Sequence, residues 1–171
     1  MKTSLIRAFL FSLILFFIIN FLIVIISYSV AGYLDLHLAT ISIEPLIIIV
    51  DLIHPIGMFP WEAIQRSFNS IPGFNILYMG FVISLAVASI IAGIFGGSLG
   101  KSIIGWILTS VTCIGVFILL ISISTANLSF YCFMCSLEEG IIEIFITGIS
   151  NMLIFGILTS IIAVIKGRSS T

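Results

Sequence analysis

Charge is the scarcest commodity in this chain. Only 8% of its 171 residues are Asp, Glu, Lys or Arg, against about 25% in an ordinary soluble domain. A water-soluble fold is excluded on that ground. Six basic residues are too few for a phosphate-binding footprint, so nucleic acid is excluded as a partner. Cysteine is scarce too, with three in all: Cys113, Cys132 and Cys135. HExxH does not occur, and there is no nucleophile elbow, which needs a serine on a sharp strand-to-helix turn. Gly100-Lys101-Ser102 has the tail of a phosphate-binding loop. However, the glycine required five residues before Gly100 is replaced by Phe95, and an apolar helix precedes it where a strand is needed. No low-complexity linker or charged tail is present.

What the chain has is hydrocarbon. Hydrophobic residues make up 61% of it, and its charges leave uncharged runs at 8–34, 67–100, 102–137 and 144–165. A helix needs about 20 apolar residues to cross the hydrocarbon core of a bilayer, so each run holds one span. Barrel strands would alternate apolar and polar residues. Stretches such as Leu13–Ile26 are apolar on every face, and helices satisfy their own backbone in lipid. The expected fold is an all-α membrane protein. It is one four-helix domain over residues 1–171, with spans near 4–31, 75–97, 102–123 and 140–165.

The few charges are sorted. With the N-terminus placed in the cytoplasm, Lys2, Arg7, Lys101, Lys166 and Arg168 all face inward. Asp35, Glu44, Asp51, Glu62, Glu138, Glu139 and Glu143 then face outward, with Arg66 the one outward cation. The positive-inside rule therefore predicts a multi-pass protein of the cell membrane with both termini cytoplasmic. Ser29-Val30-Ala31 resembles a signal-peptide cleavage site, but the apolar stretch before it is longer than a signal core, which predicts a retained anchor.

The outer loop, 32–73, is the one sizeable region outside the spans, and it reads as an interfacial lid. Leu34, Leu36 and Leu38 alternate with Asp35, His37 and Ala39, which predicts a short extended segment. Pro45 opens an apolar run to Ile53, too short to cross and expected as a half-helix that Pro55 ends. A second short helix is expected from Pro60. Trp61, Ile64 and Phe68 share one of its faces, with Trp61 as a membrane anchor, and Glu62 can pair with Arg66 one turn on. Asn20, Gly93, Gly96, Gly97 and Gly100 are expected to serve helix packing, the amide through hydrogen bonds and the glycines through close approach.

Three sets of residues carry candidate chemistry. Glu139, Glu143, Thr147 and Asn151 recur at i, i+4 on the last span. Acids at membrane depth suit a cation or proton path; acids in a first helical turn also complement the helix dipole. His37, Asp51 and His54 fall in one loop and offer metal-ligand chemistry, or ordinary interfacial hydrogen bonding. Cys132-Phe133-Met134-Cys135 has the spacing of an exchangeable dithiol or of a structural disulfide. Asn127-Leu128-Ser129 is a glycosylation sequon.

The Cys132–Cys135 motif, placed before the last span of a four-span bundle, resembles the vitamin K epoxide reductase family. That resemblance implies a quinone-linked thiol oxidoreductase with Cys132 and Cys135 as the catalytic pair. The family's second cysteine pair, in the loop after span 1, has no counterpart in 32–73, so a partner's cysteines would have to supply it.

Three functions follow as expectations. The first is a small polytopic protein that serves as a non-catalytic accessory subunit of a larger membrane complex, held by membrane lipids and other membrane subunits. The second is an ion or proton transporter or channel component using Glu139 and Glu143. The third is the thiol oxidoreductase. A bound lipid or quinone is the cofactor these readings allow.

Overall fold

The computed structural model describes residues 2–131 and 136–169. The elements run α1 (Lys2–Ala31), α2 (Leu34–Ile43), α3 (Ile47–Ile53), a single 3-10 turn (His54–Gly57), α4 (Pro60–Asn69), α5 (Phe74–Phe95), α6 (Leu99–Ile123), α7 (Thr125–Tyr131) and α8 (Leu137–Ser169). Four of these, α1, α5, α6 and α8, are long and apolar enough to cross a membrane. The all-α, four-span reading therefore holds, with short helices between the first two spans.

Backbone proximity places the ends. Gly97, between α5 and α6, lies 3.5 Å from Ser4 of α1, counted from the Cβ it lacks. The Lys166 ammonium near the end of α8 donates to the Ile94 carbonyl of α5. The start of α1, the α5–α6 turn and the end of α8 thus share one side, the terminal side. The segments α2–α4 and α7 share the other, the lid side. Lys2, Arg7, Lys101, Lys166 and Arg168 all belong to terminal-side stretches, and the seven acids to lid-side ones.

The interior is filled. Phe16, Leu85, Trp106, Ile114, Phe117 and Ile144 pack into one apolar cluster between the spans. Polar groups among them are used to join helices. Ser12 and Thr109 link α1 to α6 through their hydroxyls, 2.5 Å apart. Thr159 of α8 donates to the Ser89 carbonyl of α5 at 3.0 Å. The Trp106 indole donates to the Met152 carbonyl at 2.9 Å. A hydroxyl or indole buried in lipid is costly unless partnered, and each of these has its partner within the chain.

Glycine lets the spans approach. A Cβ at Gly93 would sit 2.9 Å from Ile162 and the Thr159 carbonyl of α8, and one at Gly96 would collide with Ser102. Gly97 has φ +70°, a conformation glycine adopts at no steric cost, and turns the chain into α6. Gly100 departs from expectation: a Cβ there would meet nothing within 4 Å, because α6 has only just begun and faces no neighbour. Gly80, passed over in the sequence reading, and Gly105, on the small-residue face of α6, also seat helices. They face Ile23 and Ala8 of α1.

The stretch expected to be extended, 34–43, is helix α2. A lone strand here would have no ladder partner, since the described residues contain no sheet. A helix satisfies its own backbone, and that requirement outweighs a brief period-two pattern.

Candidate functional site

The site is built where the lid breaks. Pro55 cannot donate a backbone hydrogen bond, so α3 ends at Ile53 and a 3-10 turn follows. The chain then bends by 109° into α4. The turn is not on the surface: Pro55, Ile56, Gly57 and Met58 are buried. It lies beside Phe81, seven residues inside the lid-side end of α5, and Phe117, six residues inside that of α6. At 1.5 Å per residue this is a depth of roughly 10 Å. Carbonyl groups freed by the break would be orphaned there, since no water competes for them in hydrocarbon.

Three side chains from three helices answer those carbonyls. The Asn151 amide of α8 donates to Ile56 O at 3.0 Å and Met58 O at 2.9 Å, with Pro55 O at 3.3 Å. Asn20 of α1 donates to Leu52 O at 2.9 Å. The Tyr131 hydroxyl of α7 donates to Gly57 O at 2.9 Å. Asn20 and Asn151 are fully buried. Gly57 itself is required by space, since a Cβ would lie 2.6 Å from the Phe117 ring. Asn20 therefore does act as glue, but its partner is the lid and not a neighbouring span.

The proposed ligand set His37, Asp51 and His54 is divided by the fold. His37 Nε2 lies 2.9 Å from Asp51 Oδ2, both side chains buried. The His37 ring also stacks on Tyr28, 3.9 Å between centroids and 7° from parallel. His54 goes elsewhere, into a ring of Phe81, Tyr131 and Phe117 at 5.2, 5.5 and 6.2 Å. Asp51 and His54 are three residues apart and would share a face of one regular helix, but α3 ends between them at Ile53. Among the described residues no three of His, Cys, Asp and Glu gather as metal ligands.

The α8 stripe also serves separate tasks. Glu139 is exposed, and its carboxylate accepts from Ser136 N at 2.8 Å and from Ser136 Oγ at 3.0 Å. The Glu139 N–H donates to Ser136 Oγ at 3.3 Å. That is a reciprocal capping box. Its signature, Ser-Leu-Glu-Glu, stands at 136–139 in the sequence and went unread there. Glu143 is exposed one turn further on, in a shallow surface recess with Phe59 and Ile146. Thr147 is buried and donates to the Glu143 carbonyl of its own helix at 2.7 Å. Asn151 holds the lid.

Cys132 and Cys135 lie outside the described residues. Trp61 is exposed and stacks on Phe59 at 4.3 Å, with Ile64 and Phe68 exposed on the same face of α4. Asn127 of the sequon is buried and donates to Leu120 O at 2.9 Å, which closes it to a glycosyl group. Tyr131 was missed in the sequence reading, because nothing local marks a tyrosine as the partner of Gly57, 74 positions away.

Fold and site together define a polytopic helical membrane protein whose lid is sharply bent and stitched to the bundle. Comparison of the chain with protein-family models, curated proteins and solved structures finds no match in any of the three.

Proposed function

We propose that this chain is a non-catalytic accessory subunit of a larger membrane complex. One observation supports the reading above the others. Four polar side chains at membrane depth donate to or pair with other parts of the same chain: Ser12 with Thr109, Asn20 and Asn151 with the lid, and Thr159 with Ser89; the buried Ser27 and Ser110 hydroxyls have no such partner among the described residues. A transporter keeps such groups for its cargo. This chain spends them on its own rigidity, as suits a part that seals and spaces other parts. The apolar flanks are uneven: 22% of the α1 span and 28% of the α8 span are buried, against 50% for α5 and 44% for α6. α1 and α8 therefore offer the surface on which neighbouring subunits would pack through close van der Waals contact.

The test is extraction of the tagged chain in a mild detergent, a native gel, and mass spectrometry of everything in its band. The expected result is a particle well above the mass of this chain with partners in fixed ratio. A band containing this chain alone, stable at low detergent, would end the subunit reading.

A further inference from the structure

A groove of about 550 Å³ runs along the seam between α1 and α5. Gly80 leaves its floor without a side chain, and Ile23, Met79 and Ile83 form its walls. At the lid end Ser67 and Phe68 of α4 complete its lining. Phe68 is 81% exposed, so it is not held there by the packing of the bundle.

We propose that this groove holds one acyl chain of a membrane lipid from the lid-side leaflet. Three features select that occupant. The first is length. From Asn75 at the mouth to Ile83 at the deep end is eight residues of α5. That is roughly 12 Å of rise, close to one leaflet's half of a hydrocarbon core about 30 Å thick. The second is continuity. The groove opens onto the exposed apolar face formed by Ile76, Met79 and Ile83, so lipid hydrocarbon is the medium that reaches it. The third is polarity at one end only. The Asn75 side-chain oxygen accepts from the Gly73 and Ile76 N–H groups at 3.1 and 2.8 Å. Its NH2 group is left to donate at the mouth, where a lipid's ester or phosphate oxygens lie. The seat is complete within one chain and does not depend on the subunit reading.

The full chain would be reconstituted in vesicles of palmitoyl-oleoyl-phosphatidylglycerol, extracted in mild detergent and read by native mass spectrometry. One lipid retained per chain is expected. Met79→Trp fills the groove and should lower retention more than about fivefold. Asn75→Leu, which removes the donor without filling the groove, should lower it in the same direction. Ile157→Trp, on the exposed face of α8, should leave it unchanged. Matched thermal unfolding of the four proteins establishes that each is folded. The proposal is overturned if the wild-type chain retains no lipid, or if Met79→Trp and Asn75→Leu both retain as much as Ile157→Trp. It is equally overturned if a protein chain co-purifies with the wild type and Met79→Trp releases it, since the groove is then a protein seat.

Discussion

At the scale of single residues, the lid is held by amides and hydroxyls that the sequence shows only as isolated polar letters in apolar helices. Asn151 matters most, because one NH2 group serves three carbonyls of the turn that follows the break, those of Pro55, Ile56 and Met58. Hydrogen bonds between membrane helices are worth about 0.6 kcal/mol on average. Leaving a buried group unpaired costs about 1–3 kcal/mol. The cluster at Asn151 falls under the second figure, since its carbonyls have no water to turn to. Asn151→Ala and the volume-matched Asn151→Leu should both lower stability by about 1–3 kcal/mol, read by thermal unfolding in detergent. Amide exchange at Ile56, Gly57 and Met58 should rise with it. A loss from Asn151→Ala alone would assign the effect to a cavity and not to the hydrogen bonds.

At the scale of elements, α8 separates two readings of one stripe of side chains. Ser136 and Glu139 bond reciprocally at its start, and such a cap is worth about 1 kcal/mol when its serine is removed. Glutamine serves in the same position of a capping box. Glu139→Gln should therefore leave the unfolding midpoint nearly unchanged, while Ser136→Ala lowers stability by about 1 kcal/mol. An ion path through Glu139 makes the opposite demand, because it needs the charge and not the hydrogen bond. Loss of cation flux in proteoliposomes on Glu139→Gln, with stability intact, would restore the transport reading. Helix α4 teaches a simpler lesson: Trp61, Ile64 and Phe68 repeat at helical spacing, and the face they mark is the exposed one.

At the scale of the whole molecule, the charges divide between two ends of the bundle. The positive-inside rule then predicts that the terminal side faces the cytoplasm. The test is labelling with an impermeant maleimide, in a chain whose native cysteines are replaced. In intact cells Ser42→Cys and Asn69→Cys should label, and Ser98→Cys should label only after lysis. The reverse pattern would invert the orientation and move the acidic lid to the cytoplasmic face.

The number of spans, their rough limits and the sorting of charge were all legible in the sequence, and for one reason. Whether a segment enters a bilayer depends on its own apolar content and on the charges at its ends, and both are local sums. The helix of α4, with Trp61, Ile64 and Phe68 on one face, was legible on the same footing. The depth of the lid was not. It rests on pairs such as Asn20 with Leu52, 32 positions apart, and Asn151 with Ile56, 95 apart. Nor could local pattern foresee that His54 would part from Asp51, or that α2 would be helical where its letters alternate. Those outcomes were decided by tertiary structure, because an orphaned backbone group in hydrocarbon must find a donor wherever the fold brings one within reach.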